Sequence, residues 1–366
     1  MVYFQRGPRR IAISGRIAAI ALAAFLANAL ITPVILAVAH RFNWYDDTDH
    51  RKIHSEDTPR LGGIGIFLAF VIVALGGIYL VMPPDHLRPW SSSSLALMLG
   101  GLLAMHGLGV YDDFTNLRAP LKFLIQIFAG VLVALSGATF QRIALPFVGT
   151  LVLPGWIAFP LTVLWIVSIS NALNLIDGAD GLAGGVAMIA VLFMGIIAFG
   201  QGSLFVAVIS FALFGATAGF LLFNFPPARI FMGDGGSLTL GFLLALIPLM
   251  GITGNSAAPM TVPVITVLTL LYVPIVDTIL AIIRRSRRGL PVHSPDREHI
   301  HHRLIDRGVH GRRLLAVIYS GMIVLGFTAI ITYTASDAVA LLLTALVWAG
   351  ALVAIILLGK HENLQD

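Results

Sequence analysis

The sequence predicts an all-α, polytopic integral membrane protein of about eleven transmembrane helices, with its chemistry in loops on one face. Three observations carry this. The 366 residues are 58% hydrophobic and 11% charged, against roughly 25% charged in soluble domains. Mean hydropathy is +0.92. The apolar residues form continuous runs rich in Gly and Ala, and such runs suit helices rather than the alternating segments of a barrel.

A span needs about 20 apolar residues to cross roughly 30 Å of hydrocarbon. Eleven stretches approach that length: Ile11–Ala39, Leu61–Val81, Ser94–Val110, Leu121–Leu135, Trp156–Ser170, Leu182–Phe199, Leu204–Phe223, Ser237–Ile252, Val262–Ile283, Leu314–Ile331 and Ala338–Leu358. Several of these are short, the fourth and the eighth among them. The first run is too long for a cleavable signal peptide and lacks a small-residue cleavage site. The polar segments Arg41–Arg60 and Arg284–Arg313 are too short to bury cores of their own. We therefore read residues 1–366 as one transmembrane catalytic domain, with a basic tail at 1–10 and a second tail at 359–366. There are no cysteines, which removes disulfides, thiolate metal sites and cysteine nucleophiles together.

Loop charge gives orientation. With eleven spans, 17 of the 23 Lys and Arg residues fall in the odd-numbered connections and the C-terminal tail. The positive-inside rule therefore puts those loops in the cytoplasm, outvoting the four arginines of the N-terminal tail. Of the 18 acidic residues, only Asp85 and Asp337 lie on the other side. Asp112, Asp113, Asp177, Asp180, Asp234 and Asp277 thus gather on one face.

Carboxylates at a membrane edge are costly unless solvated, paired or metal-bound, which makes them candidates for function. Asn174 stands three residues before Asp177, and this oxygen-rich set suits a hard divalent cation, Mg²⁺ or Mn²⁺ in its place. The turns "DGADGLAGG" and "GDGGS" each precede an apolar helix, and their backbone N–H groups offer seats for an anion. The loop "RRSRRGLPVHSPDREHIHHRLIDRG" adds Arg and His donors for a diphosphate. "RRSRR" itself reads as a cytoplasmic anchor after a span rather than a nucleic-acid site. Blander roles exist: Asp112 and Asp113 could cap a helix, Asp177 and Asp180 could be turn residues, and Asp277 could be a helix-packing polar group. A cation-coupled secondary transporter is the reading from another class, but its acids belong near the bilayer midplane.

Taken in order, "YDDFTNLRAPLK", "NALNLIDGADGLAGG", "FNFPPARIFMGDGGSLTLGF", "VPIVDT" and "DREHIHHRL" resemble the polyprenyl-phosphate N-acetylhexosamine-1-phosphate transferases. "HIHHRL" and "FNFPPARIFMGD" are most similar to the WecA/TagO branch and point away from UDP-MurNAc-pentapeptide translocases. The resemblance runs from Arg41 to Arg313. It implies transfer of GlcNAc-1-phosphate from UDP-GlcNAc to undecaprenyl phosphate, with Mg²⁺, at the cytoplasmic face of a bacterial plasma membrane. The lipid product would prime a cell-envelope glycan.

By the same resemblance, Asn174 and Asp234 hold the metal. Asp112 and Asp113 match a pair proposed to deprotonate the acceptor. Asp177 and Asp180 match a pair that shapes the metal and nucleotide site. Lys122, with Arg118 in the same motif, faces the donor diphosphate, as do His299, His301, His302 and Arg303. Arg51, Lys52 and His54 are matched to the acceptor phosphate. Direct attack and a route through an aspartyl-phosphate both remain open, as do another UDP-HexNAc or UDP-MurNAc-pentapeptide as donor, and a homodimer as the assembly.

Overall fold

The computed structural model describes residues 8–45, 58–81, 90–145, 147, 149–252, 264–290 and 298–357. The chain runs α1 (Pro8–Phe42), α2 (Gly62–Val81), α3 (Ser92–Thr115) and α4 (Ala119–Leu135). A hairpin follows, β1 (Arg142–Leu145) and β2 (Gly149–Val152). Next come α5 (Gly155–Ile176), α6 (Leu182–Gly200), α7 (Leu204–Asn224), α8 (Gly233–Ile252), α9 (Val264–Leu270), α10 (Tyr272–Arg287), α11 (Ile300–Asp306), α12 (Gly311–Thr334) and α13 (Asp337–Leu357). Among the described residues, every apolar stretch of the sequence is mainly helical.

Among the described residues, nine helices are long and apolar enough to cross a membrane singly. The other two stretches depart from the simple expectation. Helix α4 has 17 residues, about 25 Å at 1.5 Å per residue, which is short of roughly 30 Å of hydrocarbon. The stretch read as one span over Val262–Ile283 is broken into α9 and α10, bent by 79°. The cause is Pro274. It has no N–H to offer the Leu270 carbonyl, and its ring crowds that residue. Two further elements were not expected: α11, inside the basic loop, and the antiparallel hairpin, with Arg142 opposite Val152 and Leu145 opposite Gly149. The tail boundary at residue 10 also shifts, because α1 already begins at Pro8.

Helices apolar on all sides belong in the middle of a bundle. Accordingly α6, α7 and α8 form the centre, with 89% of the α8 span covered by protein against 17% of α13. Small residues let backbones meet where lipid supplies no hydrophobic drive. A β-carbon on Gly215 of α7 would overlap the Ala21 carbonyl of α1, and one on Gly219 would overlap the Phe25 carbonyl. Beside them Asn28, fully buried, donates to the Ala216 carbonyl at 2.6 Å and accepts from Thr32 Oγ1 at 3.0 Å, satisfying its amide inside the bundle.

Candidate active site

The site is built on the start of α8. The sequence "MGDGG" enters between two backbones. A β-carbon on Gly63 would strike the Gly236 amide, and one on Gly109 would strike the Asp234 carbonyl. Gly62 N and Gly63 N donate to the Phe231 and Met232 carbonyls at 3.0 and 2.9 Å, and Phe231 N donates to Pro59 O at 2.8 Å. Gly233 turns the chain at φ 71, a value glycine takes without steric cost. These glycines permit close backbone approach.

The approach also corrects the expectation of an open anion seat at "GDGGS". Asp113 of α3 fills it. Its Oδ1 accepts from Asp234 N at 2.7 Å and its Oδ2 from Gly235 N at 2.9 Å, the usual way a carboxylate satisfies orphan amides at a helix start. The "DGADG" turn is committed as well. Gly181, at φ 73, donates its N–H to Asn224 Oδ1 at 2.9 Å, and its carbonyl accepts from Tyr319 Oη at 2.5 Å. Asp180 Oδ2 accepts from Ala228 N at 2.9 Å, tying this turn to the "PPAR" segment.

Four side chains converge above that floor. Lys122 Nζ, near the start of α4, pairs with Asp112 Oδ2 and lies 3.5 Å from Asp234 Oδ2. Asn174, at the end of α5, donates Nδ2 to Asp234 Oδ1 at 2.9 Å and to Ser237 Oγ at 2.8 Å. Asp234 is thereby gripped from both sides, by an ammonium and by an amide. Asp112 is buried, 3% exposed against 31% for Asp234, and its Oδ1 accepts from Leu117 N at 2.7 Å. It therefore organises the turn that launches α4. Arg118 lies exposed at the N-cap of that helix.

Asp177 caps the C-terminus of α5, its N–H bonded to the Asn174 carbonyl at 3.2 Å. Withdrawal from water, together with the charges of Asp234 and Asp113, pushes its carboxyl up to about 8. The surplus of negative charge on this face exceeds what Lys122 and Arg60 offset. Oxygen donors for a hard cation are present in Asp234, Asp177 and the carbonyl oxygen of Asn174, whose amide hydrogens are both used. Among the described residues no three His, Asp or Glu side chains close a metal cage by themselves. A cation that takes few protein ligands and completes its shell with water or phosphate oxygen fits such a set.

The histidine segment docks beside this cluster. Asp277 of α10 accepts from His299 Nδ1 at 2.8 Å and from Ile300 N at 3.0 Å, fixing the start of α11. His301 is 1% exposed, and its Nε2 lies 2.5 Å from where a β-carbon of Gly178 would stand. That contact brings α11 against the Asp177–Asp180 turn. Neither ring nitrogen of His301 has a hydrogen-bond partner. Burial, with His302 adding to it, pushes its pKa down to about 4, so this imidazole is neutral near pH 7. The His302 ring lies against it, centroids 4.2 Å apart and tilted by 39°. Arg303 bonds Glu298 Oε2 at 3.3 Å, and Arg284 and Arg288 reach the same carboxylate. Arg51, Lys52 and His54 lie outside the described residues.

Sequence reasoning overlooked two residues at this site. Arg60 is close enough to act on the charges of both Asp113 and Asp177. Its signal in the sequence is the segment "RKIHSEDTPRLGG", in which it reads as one more cation of a loop. His106, one face of α3 below Asp113, donates Nδ1–H to the Gly235 carbonyl at 3.2 Å and stacks on Phe67 at 4.0 Å. Its only sequence signal is a lone histidine in an apolar helix.

The sequence pattern described as glycosyl transferase family 4 matches residues 95–252. The chain is 36% identical over 323 residues to a Bacillus subtilis protein named probable undecaprenyl-phosphate N-acetylglucosaminyl 1-phosphate transferase, covering 88% of this chain and 86% of that one. It is 34% identical over 373 residues to decaprenyl-phosphate N-acetylglucosaminephosphotransferase of Mycobacterium tuberculosis, covering 96% and 91%. A phospho-N-acetylmuramoyl-pentapeptide-transferase of Levilactobacillus brevis is 36% identical over 217 residues, 56% of this chain and 64% of that one.

Proposed function

Because the chain belongs to glycosyl transferase family 4, among the polyprenyl-phosphate N-acetylglucosamine-1-phosphate transferases, we propose that it moves GlcNAc-1-phosphate from UDP-GlcNAc to undecaprenyl phosphate. The products are the polyprenyl-diphospho-sugar and UMP. The observation that carries this reading is the convergence of Lys122, Asp112, Asn174 and Asp234 at one end of the bundle. An ammonium and metal-ready oxygens meet there at the ends of four apolar helices, where a lipid headgroup and a soluble diphosphate would come together. A transporter site would sit near the bilayer midplane. Pairing over 88–96% of the chain with proteins named for GlcNAc transfer, against 56% for the muramoyl-pentapeptide enzyme, supports GlcNAc as the donor sugar.

In this mechanism an oxygen of the polyprenyl phosphate forms a bond to the β-phosphorus. The bond from that phosphorus to the bridging oxygen breaks, and the oxygen leaves with UMP. The acceptor phosphate is already largely ionised near pH 7, so placement matters more than a strong base. Asp113, with both oxygens held by backbone amides, serves as an anchor for α8, which favours direct attack by the acceptor. Lys122 offsets charge on the donor diphosphate. Asp234, Asn174 and Asp177 would hold Mg²⁺, which when bound supplies charge neutralisation to the diphosphate.

The deciding experiment is transfer from a panel of radiolabelled UDP-sugars to undecaprenyl phosphate in membranes. GlcNAc-labelled lipid is the expected product. A product only from UDP-MurNAc-pentapeptide, or none from any donor, would reject the reading.

Two further results are expected. The reading puts the carboxylate face in the cytoplasm of a bacterial plasma membrane, on the strength of the basic residues gathered in the same loops. With no native cysteine, single probes at Arg229→Cys and Thr150→Cys should label from the cytoplasm and from the outside respectively. Labelling of both from one side would break the orientation. The second result concerns the metal. Folded Asp177 keeps its proton up to about pH 8, whereas an unfolded aspartate releases its own near 4. A raised carboxyl pKa penalises the fold increasingly as pH climbs between those values. In EDTA, the unfolding midpoint in detergent should therefore fall from about pH 5.5 to about pH 8.5, and Mg²⁺ should shrink that fall. An equal fall with and without Mg²⁺ would argue against a metal beside Asp177.

A further inference from the structure

Beneath the Asp234 grip lies a second polar layer that the reaction does not use. Gln126 of α4 is 2% exposed, and its carbonyl oxygen accepts from Asn171 Nδ2 of α5 at 2.6 Å. In return Gln126 Nε2 donates to Asn171 Oδ1 at 3.4 Å, and Asn171 Nδ2 also reaches the Val167 carbonyl at 2.8 Å. We infer that this reciprocal amide pair is a positioning clasp, which sets the rotation and depth of α4 against α5 and thereby aims Lys122 and Asn174 at the two oxygens of Asp234.

The spacing is what connects the layers. Gln126 follows Lys122 by four residues, and Asn171 precedes Asn174 by three, so each amide lies one turn below a grip residue on the same helix face. The helices run antiparallel, and both amides therefore sit on the inner side of the grip. Helix α4 has only 17 residues and exposes Leu121, Phe123, Leu124, Ile127 and Phe128, so apolar contact holds little of its surface. Apolar contact with lipid or protein is non-directional. A one-residue rotation of α4 would turn Lys122 by about 100°, away from both carboxylates. Lower down, a β-carbon on Gly130 would stand 3.2 Å from Cα and Cγ1 of Val163, so this glycine lets the two helices lie close. The amide pair fixes their register.

The inference rests on the transferase reading, so wild-type transfer of GlcNAc-1-phosphate is measured first. An inactive wild type counts against that reading alone. With active wild type, the test compares Gln126→Leu, Asn171→Leu and the double variant for unfolding midpoint, kcat and donor KM in detergent. Each single change takes from one amide its partner across the helix pair and should lower both midpoint and kcat, most for Asn171→Leu, which leaves the buried Gln126 unpaired, whereas replacing both partners with apolar groups can be nearly neutral for stability. The double variant should regain a midpoint within about 2 °C of wild type. Its kcat should stay about 10- to 100-fold down, with donor KM changed less than about threefold. Recovery of kcat together with the midpoint would reduce the pair to packing and overturn the clasp. So would unchanged kcat in the single variants. If the double variant does not fold, the exchanged pair Gln126→Asn with Asn171→Gln decides. It should transfer faster than either exchange alone, and no improvement would overturn the clasp.

Discussion

Asp234→Asn is expected to lower turnover at least about 100-fold, the scale of losing one electrostatic partner of a transition state, while the protein stays folded and extractable. The substitution keeps the side chain's shape and removes its charge. It also introduces an amide opposite the Asn174 amide, which now donates at 2.9 Å, so one of the two must turn its donor away. The fold should tolerate this, because Asp234 is 31% exposed and such ion pairs contribute about 0–1 kcal/mol. Meanwhile Asp113 still holds the start of α8 through backbone amides that the substitution does not touch. Transfer rate against Mg²⁺ concentration, with gel filtration in detergent as the control for folding, checks the expectation. Full activity at ordinary Mg²⁺ would remove Asp234 from the centre of the chemistry.

Lys122→Ala should slow transfer by roughly 10- to 150-fold, the loss of a charge-assisted contact of about 1.5–3 kcal/mol. Two effects must be separated. The variant removes a cation from the donor diphosphate, and it also leaves Asp112, 3% exposed, without its partner. A buried charge deprived of its counter-ion destabilises the fold. Adding Asp112→Asn should therefore restore the unfolding midpoint without restoring turnover. Lys122→Arg is not expected to rescue, because a planar fork does not fill the place of a compact ammonium between two carboxylates. Should the contact tighten as charge develops on UMP, kcat falls more than donor affinity. Unchanged donor kinetics with poorer use of the lipid acceptor would move Lys122 to the other substrate.

Much of the bundle could be read from the sequence because a membrane helix announces itself locally. Among the described residues the apolar stretches are helical, the ninth as two helices. The break in the ninth was written at Pro274, but a hydropathy pattern averages over a single proline. The site was less legible. Asp112, Lys122, Asn174 and Asp234 were picked out one motif at a time, and the structure brings them together through helix packing that no local pattern encodes. Asp113 shows the limit most clearly. Its partners, the amides of Asp234 and Gly235, are about 120 residues away, and an acidic pair at a helix end looks the same in sequence whether it binds substrate or another helix. The same holds for Gln126 and Asn171, which read as ordinary amides until α4 and α5 are laid side by side.

The glycine-lined start of α8 has a consequence for motion. The backbones of α2 and α3 press against it at Gly63 and Gly109, and Asp113 is bonded to its first amides, so little there is free to change rotamer and there is no gap to close. Local opening there requires separating three helices at once, so the amide hydrogens of Asp234 and Gly235 should exchange with solvent deuterium on the slow timescale of cooperative unfolding. Any closure around a substrate must then come from parts outside this clamp, such as the Lys122 side chain and the far end of α11, over a stationary base.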